Sequence, residues 1–596
     1  MVARRGFILL LILASLIFMI IIRLLWLQTR TTIGDDYLAQ QSVEQRRESV
    51  VLDQGRGRIL DRSGAVLAGR QVHTLLVVPR MPQWIGTDLI DQVAGIIGVP
   101  PQTLESQVRL TSKPFLAYTV TKKTPLILST KQIEQIDEIQ SPALKVVPYI
   151  RRYREQPIAS HVIGFLAQNP RQIKELYKEQ LEQGNLQENE LIGASGLERS
   201  FDRFLQGIET SKYVHFVDAK SEAIAGLHDR LILASNPFYP LQLQTTLDGK
   251  LQAATEAMID KEGMKEGAVV VLDINNSDVI VMASRPNYDP YAVLPELGKW
   301  RNRAVSAEVP GSIFKTVVLA TALEDGVVKP GQKFYCSGEW DRYHLRCWVR
   351  EGHGVLTLEQ AYAQSCNVII AQIAAELDPN RLEEVAESLG LTHRIGWSTE
   401  SLSLPLGGIQ QSFRQFDGEQ EGQLFDQGTP RADRGVLAQT GIGQRDVRVS
   451  PLQAANMVVT ILNAGKLTEP RVVSEIKHNN NRSLIQFPQH VITRPSGKGK
   501  SGLSPSTTRW LTEAMKLTVE SGTASSLLKV PVQVAGKTGT GQTGQPHDHK
   551  VNQWFIGYTP TDQPKYAFAI LVSNRQHDDQ HQALSITDQL IRLLKH

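Results

Sequence analysis

Apolar and polar positions change their spacing along this chain, and the changes predict where membrane-spanning, helical and strand segments lie. An almost purely apolar run covers residues 6–22 and continues past Arg23 to residue 27. Because about 20 apolar residues span a bilayer, this run predicts one transmembrane helix. Arg4 and Arg5 precede it, which favours a cytoplasmic N-terminus and places the rest of the chain on the extracytoplasmic side.

A cleaved signal peptide is the alternative interpretation of the same run. Residues 28–31 read Q-T-R-T, and this is not the small-x-small pattern of a cleavage site. We therefore expect an uncleaved, single-pass anchor in the cell membrane, with residues 1–30 forming the cytoplasmic tip and the span.

The pattern after the span predicts a stalk and then a mixed region. Residues 36–55 are polar with helical spacing and predict a solvated stalk. Residues 56–240 alternate short β-rich runs, such as 74–78, with charged helical stretches, such as 172–183. Since this region has no obvious catalytic constellation, we expect residues 31–240 to form a non-catalytic α+β domain.

Beyond a boundary at residues 236–240, apolar β-branched runs come in pairs. Residues 268–274 and 279–283 predict one hairpin, and residues 553–558 and 566–572 predict another. Strands at both ends of residues 241–596, with helices between them, predict one antiparallel sheet assembled from distant pieces.

Several helices of this second region have local signals. Ser450 and Ser504, each followed by proline, predict helix starts, and the spacing of leucine and isoleucine over residues 584–594 predicts a final amphipathic helix. Residues 407–435 are rich in glycine, glutamine and charge and predict a surface excursion.

Composition narrows the class of protein without naming a partner. The 596 residues are 41% hydrophobic and 21% charged with a net charge of +3, which is ordinary globular composition and not that of a disordered or nucleic-acid-binding chain. Cys336, Cys347 and Cys366 are too few for a disulfide framework and lack C-x-x-C spacing, so we expect neither a metal site nor a cofactor.

A serine and a lysine form the first part of the candidate chemistry. Ser312 and Lys315 lie three residues apart before the apolar stretch 316–323, so on a helix they share one face near the positive end of its dipole. Serine attacks a carbonyl only when a base takes its proton, and a buried lysine with a lowered pKa is such a base. Alone, S-x-x-K also fits a capped helix with a surface lysine.

Two further motifs follow in the chain. One is Ser365-Cys366-Asn367, between two helical runs, and the other is the K-T-G-T sequence of residues 537–540, where Gly539 lets a substrate backbone lie close to a strand edge. Their order matches the S-x-x-K, S-D-N and K-T-G set of serine acyl-transfer enzymes, with Cys366 in place of aspartate. The predicted catalytic residues are Ser312, Lys315, Ser365, Asn367 and Lys537, and the predicted substrate-binding residues are Thr538, Gly539 and Thr540.

With these motifs the chain resembles the penicillin-recognising serine enzymes, and specifically a class B penicillin-binding protein. The supporting segments are R-G-R-I-L-D-R-S-G-A-V-L-A at 56–68, G-A-S-G-L-E at 193–198, N-R-A at 302–304, G-I-G-Q at 441–444, S-P-L-Q at 450–453 and W-F-I-G at 554–557. The resemblance covers nearly the whole chain. At 276–278, N-S-D stands where the family usually has T-G-E, which affects only the detail of a turn.

The resemblance implies an α+β fold in three parts. These are a single N-terminal transmembrane helix, an elongated pedestal of the dimerisation type at 31–240, and a transpeptidase domain at 241–596 with a five-stranded antiparallel sheet flanked by helices. It also implies an activity, peptidoglycan D,D-transpeptidation, in which stem peptides are cross-linked with release of D-alanine and which β-lactams inhibit.

The resemblance also implies roles for single residues. Ser312 attacks the carbonyl between the two terminal D-alanines, Lys315 acts as its base, and Ser365 passes a proton to the departing D-alanine. Asn367 holds the peptide amide. Lys537, Thr538 and Thr540 bind the terminal carboxylate, and the N–H groups of Ser312 and Thr540 form the oxyanion hole.

The expected partners are the donor and acceptor stem peptides, β-lactams, the membrane and a glycan-polymerising membrane protein, with no nucleic acid. Two alternatives use the same residues. One is a D,D-carboxypeptidase or β-lactamase-like hydrolase, for which the sequence offers no identifiable water-activating glutamate. The other is a catalytically silent scaffold of wall assembly, which the intact motifs disfavour.

Four other groups of residues have simpler interpretations. The histidine-rich stretches 547–549 and 577–581 predict solvated loops, although histidine and aspartate also suit zinc. Cys336 and Cys347 fit a disulfide and free thiols equally well. Cys366 fits a packed residue better than a nucleophilic thiol, because Ser312 already has a lysine at the right spacing. Arg56, Asp61 and Arg62 fit a structural ion-pair junction better than a partner-binding site.

Overall fold

The computed structural model describes residues 2–29, 32–33, 36–37, 46–79, 81, 84, 87–119, 124–182, 187–218, 229–343, 345–400, 412–492, 503–544, 549–577 and 579–595. The chain forms two compact units, one of residues 1–55, 71–151 and 207–236 and one of residues 56–70, 152–206 and 237–596. The domain bounds expected from the sequence stay a prediction, because the chain passes between the two units more than once before residue 240.

The N-terminal apolar run forms one long helix, Val2–Thr29. Within it the 21 residues Gly6–Trp26 are long and apolar enough to cross a membrane, and none of this segment is buried. Such a helix has its backbone hydrogen bonds satisfied internally, as a bilayer requires.

The first unit contains two three-stranded sheets. One has the order Phe115–Leu116, Arg70–Val77, Leu144–Arg151, and the other has the order Arg230–Ile232, Ser211–Phe216, Arg47–Asp53. The helices Thr87–Ile97, Pro101–Leu110 and Thr130–Glu138 and the short strands Thr32–Ile33 and Asp36–Tyr37 complete it.

The helical spacing expected for the stalk is wrong where the structure describes it. Arg47–Asp53 is a strand that pairs antiparallel with Ser211–Phe216. Leu52 at its end is almost fully buried among Leu76, Val147 and Tyr213. Long-range strand pairing therefore overrides the local pattern of these seven residues.

The second unit is built around a five-stranded antiparallel sheet, as expected. Its strands are β1 (Gly267–Asp273), β2 (Val279–Arg285), β3 (Ala535–Thr543), β4 (Lys550–Thr559) and β5 (Tyr566–Gln576), in the spatial order β2-β1-β5-β4-β3. Both predicted hairpins are confirmed, and β3 lies at an edge of the sheet.

Both faces of this sheet are covered, so its strands are apolar almost continuously. Val270 and Leu272 face the larger core, which includes the helix Pro451–Leu462, while Val269 and Val271 face a second core with the final helix Gln582–Leu594. This double burial explains the uninterrupted β-branched runs in the sequence.

Helices and short strands surround the sheet. Three helices position the site and are called α1 (Lys315–Glu324), α2 (Leu358–Ala363) and α3 (Asn367–Ala374). Besides these three, the described part of the second unit has six helices of eight or more residues: Gly249–Lys261, Pro379–Ser388, Arg434–Gly441, Pro451–Leu462, Pro505–Glu520 and Gln582–Leu594. Ser450 and Ser504 cap their helices as predicted.

A second sheet in this unit is mixed. Its order is Ser483–Gln486, Val473–Lys477, Gln242–Thr245, Arg58–Leu60, Val66–Ala68, and only Gln242–Thr245 and Arg58–Leu60 pair in parallel. The short strands Leu166–Gln168 and Leu191–Gly193, Lys333–Cys336 and Gly354–Thr357, and Glu339–Trp340 and Leu345–Arg346 form three separate pairs. Among the described residues 152–206 of this unit there are five short helices: Ser160–Ile163, Pro170–Leu176, Lys178–Glu182, Gly196–Ser200 and Asp202–Leu205.

The surface excursion expected at residues 407–435 is confirmed for residues 426–434, which are mostly exposed, and is wrong for the described residues before them. Phe416, Leu424 and Phe425 are buried in the main core, and Gln415 hydrogen-bonds the backbone of Val473. Residues 407–411 lie outside the described residues. The polar composition of this stretch concealed three buried apolar residues, Phe416 and the adjacent pair Leu424 and Phe425.

Candidate active site

The predicted nucleophile lies on a tight turn before α1. Gly311–Phe314 forms one turn of 3₁₀ helix, which continues directly into the buried helix α1. The Gly311 N–H donates to the carbonyl of Gly443 at 2.9 Å. Gly311 has a φ of +56°, and a Cβ there would stand 2.2 Å from the Thr540 carbonyl oxygen, so only glycine fits between the turn and β3.

Strand β3 lies against this turn because it carries glycine at alternate positions. A Cβ on Gly539 would stand 2.7 Å from the Pro310 carbonyl oxygen, and one on Gly541 would stand 2.5 Å from that of Val309. From β4, the Trp554 indole donates to the same Val309 oxygen at 2.9 Å. The bare side of Gly539 therefore faces the nucleophile turn, and the predicted approach of a substrate backbone along this strand edge stays a prediction.

The Lys315 ammonium group connects the first two motifs. Its Nζ donates to the Ser365 carbonyl at 2.7 Å and to Asn367 Oδ1 at 2.7 Å, and it lies 3.3 Å from Ser365 Oγ. The side chain is completely buried, and burial lowers the pKa of Lys315 to about 8. A lysine in this environment takes up a proton reversibly near neutral pH.

Ser365 has an unusual backbone conformation. Its φ is +53°, in the left-handed region that non-glycine residues rarely occupy. The turn is held by hydrogen bonds from Ser365 N–H to Tyr362 O and from Cys366 N–H to Ala361 O. Asn367 then begins α3, so this strained turn places the Ser365 hydroxyl and the Asn367 amide side by side at Lys315.

A second buried lysine lies on β3. Lys537 Nζ is 5.4 Å from the centre of the Tyr362 ring and donates to the Thr538 carbonyl at 3.3 Å. Burial, and then the positive charge of Lys315, hold the pKa of Lys537 well below its usual range. The effect of the Lys315 charge on the pKa of Lys537 indicates that the two amines lie near each other. Thr538 Oγ1 lies 2.6 Å from Thr523 Oγ1.

The structure therefore brings the three motifs together from distant parts of the chain. Sequence reasoning missed three contributing residues, which are Tyr362, Thr523 and Gln444. The Tyr362 ring faces Lys537, and Thr523 contacts Thr538. Gln444 Nε2 lies 3.4 Å from the Thr540 oxygen, and its Oε1 accepts from the Gln542 N–H at 3.2 Å. Only Gln444 had a sequence signal, because it ends the G-I-G-Q segment, whereas Tyr362 and Thr523 belong to no recognised motif.

A cysteine and histidine cluster lies directly behind the second motif. One donor atom from each of Cys336, Cys347, His353 and Cys366 lies within 4.8 Å of the others. Cys347 Sγ is 3.8 Å from Cys366 Sγ and 3.4 Å from His353 Nδ1. These separations match the edges of about 3.5–3.8 Å that a tetrahedral zinc site with Zn–S near 2.3 Å and Zn–N near 2.0 Å has.

The sequence analysis expected no metal site because the cysteines lack C-x-x-C spacing, and this cluster runs against that reasoning. All three cysteines are free and buried, so the alternative of a disulfide between Cys336 and Cys347 is not what the structure has. The hydrogen bond with Cys366 lowers the pKa of the Cys347 thiol, and thiolate is the form that binds metal. Three thiol groups and one imidazole are a donor set that Zn²⁺ takes in structural sites.

The other residues that the sequence analysis singled out make structural contacts rather than catalytic ones. Arg56 forms buried ion pairs with Glu198 and Asp202, each at 2.7 Å, as expected for an ion-pair junction. Asp61 instead caps its own turn through Ser63, and Arg62 is exposed. In the two histidine-rich stretches, residues 547, 548 and 578 lie outside the described residues.

Comparison with known proteins agrees with this geometry. The penicillin binding protein transpeptidase domain family matches residues 267–592, and the penicillin-binding protein dimerisation domain family matches residues 52–229. Stage V sporulation protein D of Bacillus subtilis is 27% identical over 87% of this chain and 74% of its own length. The peptidoglycan D,D-transpeptidase MrdA of Haemophilus influenzae is 24% identical over 87% of this chain and 81% of its own length.

Solved structures share the fold. A chain from a peptidoglycan synthase complex, studied for its coordination of polymerization and crosslinking, has a TM-score of 0.65 at 23% identity and covers 99% of this chain and 97% of itself. The Helicobacter pylori complex of penicillin-binding protein PBP2 with MreC provides a second match, with a TM-score of 0.58 at 21% identity and coverage of 92% and 98%. The motifs, the sheet and the two family matches together make this chain a class B penicillin-binding protein.

Proposed function

We propose that the chain is a serine D,D-transpeptidase that cross-links peptidoglycan stem peptides through an acyl-enzyme on Ser312. The observation that carries the proposal is the Lys315 amine, which is fully buried, has a lowered pKa and hydrogen-bonds Ser365 and Asn367 one turn from Ser312. A neutral amine in this position is the base that an attacking serine needs.

Acylation begins when Ser312 Oγ attacks the carbonyl carbon between the two terminal D-alanines and Lys315 takes the hydroxyl proton. The N–H groups of Ser312 and Thr540 stabilise the negative charge that develops on the carbonyl oxygen. The carbon–nitrogen bond then breaks, and Ser365 passes a proton to the departing D-alanine amine. Asn367 holds the amide of the donor peptide in place.

Lys537, Thr538 and Thr540 bind the terminal carboxylate of the donor. Burial, and then the positive charge of Lys315, keep the pKa of Lys537 low. A carboxylate at hydrogen-bond distance favours the charged amine, so substrate binding restores the positive charge where it is needed. Thr523 supports this role through its contact with Thr538.

An amine of a neighbouring stem peptide completes the reaction. It attacks the ester carbonyl on Ser312 and loses a proton to Ser365, which restores the hydroxyl of Ser365. A new amide bond forms, the ester C–O bond to Ser312 breaks, and Lys315 returns its proton to Ser312 Oγ. β-Lactams imitate the D-alanyl-D-alanine end and acylate the same hydroxyl. The matches to relatives named as D,D-transpeptidases favour this transfer to an amine over the hydrolase and scaffold alternatives.

The membrane helix supports a cellular setting for this chemistry. We propose that the N-terminus is cytoplasmic, that the catalytic unit works on the extracytoplasmic side, and that a glycan-polymerising membrane protein is its partner. The two structural neighbours, one from a peptidoglycan synthase complex and one from a complex with MreC, support a partner in wall synthesis.

Covalent labelling tests the proposal. The full chain in detergent should bind fluorescent penicillin irreversibly, Ser312→Ala should abolish the label, and Ser506→Ala on an exposed helix end should keep it. Undiminished labelling of Ser312→Ala would contradict the nucleophile, and an unlabelled wild type would contradict the activity. With a D-alanyl-D-alanine donor and an added amine, the transferred product should exceed the hydrolysed one.

A further inference from the structure

A polar cavity lies beside the segment of chain that leads to Ser312. Its volume is about 480 Å³, within the range of about 300–1,000 Å³ that small-ligand sites have. Its wall includes Trp300, Arg303, Glu308, Asp417 and Gln420. The roles proposed above use none of these five residues, and all of them belong to the second unit.

Backbone hydrogen bonds hold the wall on the side of the nucleophile. Glu308 pairs with Val449 through two N–H to carbonyl bonds of 3.0 and 2.9 Å. Gln420 donates its N–H to the Val305 carbonyl at 3.0 Å and accepts from the Ala307 N–H through Oε1 at 2.8 Å. These bonds fix the shape of the wall, so ligand binding requires little further ordering of the protein.

An indole ring forms one side of the cavity. Trp300 is half-buried, its Nε1 donates to the Pro295 carbonyl at 3.3 Å, and its ring packs edge to face against Phe165 with centroids 6.3 Å apart. The two contacts fix the orientation of the ring. A fixed and partly accessible indole offers an apolar platform to the C–H face of a sugar ring.

The charges of the wall nearly cancel. Glu266 pairs with Arg303 at 2.5 Å, and Asp417 pairs with an arginine outside the wall at 3.3 Å. The other carboxylate and guanidinium groups of the wall belong to Glu308 and Arg301, whose charges are opposite. A ligand with a large net charge therefore finds little counter-charge here, whereas a neutral polar ligand needs none.

Hydrogen-bonding capacity remains in the same wall. Arg303 Nη1 is buried and has no hydrogen-bond partner among the described residues. Burial raises the pKa of Glu308 and that of Asp417, so each carboxylate is stabilised by a further hydrogen-bond donor. Hydroxyl groups can donate to these carboxylates and also accept from the Arg303 N–H. The cavity therefore suits a ring that carries several hydroxyl groups.

The distance to the nucleophile matches the length of a stem peptide. Glu308 is four residues before Ser312, so at most about 14 Å of chain separates the two. Val309 lies between them and contacts β3, because a Cβ on Gly541 would stand 2.5 Å from its carbonyl oxygen. Three or four extended residues of a stem peptide, between the glycan and the reacting carbonyl, span about 10–14 Å.

We infer that this cavity is a subsite for the glycan that carries the donor stem peptide. A sugar ring packs on Trp300, and its hydroxyl groups bind Glu308, Asp417 and Arg303. The inference rests on the proposed transpeptidase function and adds a saccharide-binding site to it.

The test compares two donors that differ only in the saccharide. One is a stem peptide that ends in D-alanyl-D-alanine and is acetylated at its N-terminus, and the other is the same peptide on a disaccharide of N-acetylated sugars. We expect the wild-type full chain in detergent to release D-alanine from the disaccharide donor with a kcat/KM about tenfold or more above that for the peptide donor. A contact made equally in the bound donor and the transition state should appear mainly in KM.

Trp300→Ala should remove this preference. The kcat/KM for the disaccharide donor should fall by about tenfold, while that for the peptide donor changes less than about twofold. Trp300→Phe keeps an aromatic platform and should keep most of the preference, which separates loss of the ring from loss of folding. Tyr335→Ala removes an exposed aromatic ring that does not line the cavity, and this matched control should keep the preference.

Labelling with benzylpenicillin, which carries no saccharide, separates failure of the subsite from failure of the function. Equal kcat/KM values for the two donors in a labelled wild type, or an equal fall for both donors in Trp300→Ala, would overturn the glycan subsite alone. A wild type that benzylpenicillin does not label would overturn the transpeptidase and the subsite together.

Discussion

At the scale of the residue, Lys315 shows how the protein makes a base from an ordinary cation. An exposed lysine is protonated at neutral pH, whereas complete burial with only polar, uncharged hydrogen-bond partners destabilises the charged form. The partners Ser365 and Asn367 are held by a backbone conformation that serine rarely adopts. The strained turn therefore fixes the positions of the groups that hydrogen-bond Lys315.

The pH dependence of acylation tests this role. Below its pKa of about 8 Lys315 holds a proton and cannot accept one, so the rate of penicillin acylation should rise with pH and level off above about pH 8. Lys315→Arg keeps the charge at every pH and should lower the rate by about 10²–10⁴-fold. Lys516→Arg, at a partly exposed helix position where the lysine pairs with Glu513, is the control. A rate independent of pH below pH 8 would exclude Lys315 as the base.

At the scale of the element, the second motif is a junction between α2, α3 and the short strands around residue 346. Asn367 Nδ2 donates to the Arg346 carbonyl at 3.2 Å, and the Trp348 indole donates to the Gln364 carbonyl at 3.0 Å. Cys347 lies between these two contacts and Cys366 lies between Ser365 and Asn367, so the cysteine and histidine cluster connects both sides of the junction.

Metal analysis tests the cluster. We expect the purified full chain to contain about one zinc per molecule, because three thiolates and an imidazole form a closed tetrahedral site. Cys336→Ser and His353→Gln should each lower the zinc content and the melting temperature, whereas His73→Gln, an exposed histidine, should change neither. If the purified chain contains no zinc and a strong chelator does not change its melting temperature, a structural metal site is contradicted.

At the scale of the whole molecule, each compact unit is assembled from separated segments of the chain. Residues 56–70 and 152–206 belong to the same unit as residues 237–596. Within that unit Arg56 is almost fully buried between Glu198 and Asp202, and Arg152 donates to Glu198 at 2.5 Å. The pKa of Glu198 is lowered despite the opposing effect of its burial, mainly by the charges of Arg152 and Arg56.

This network should be important for the stability of the second unit. Arg56→Met leaves Asp202 buried without its cation and should lower the free energy of unfolding by about 3–5 kcal/mol, measured by denaturant titration. Arg171→Met removes an exposed pair with Glu175 and should cost no more than about 0.5 kcal/mol. A similar small loss for both variants would show that the Arg56 network does not stabilise the fold.

The sequence by itself determined the elements with strong local signals. The apolar N-terminal run, the two hairpins and the helices capped by Ser450 and Ser504 depend on spacing and capping within a few residues, and all are present. The motif order by itself likewise indicates the family, because acyl transfer needs the same side chains wherever the chain brings them together.

Only the tertiary structure decided features that depend on contacts between distant residues. The strand at Arg47–Asp53, the burial of Phe416 and Phe425, the contacts of Tyr362 and Thr523 with the third motif and the grouping of three cysteines with His353 have no local pattern. Each depends on side chains that packing brings within a few ångströms after long loops close, and the spacing of residues along a chain does not record such distances.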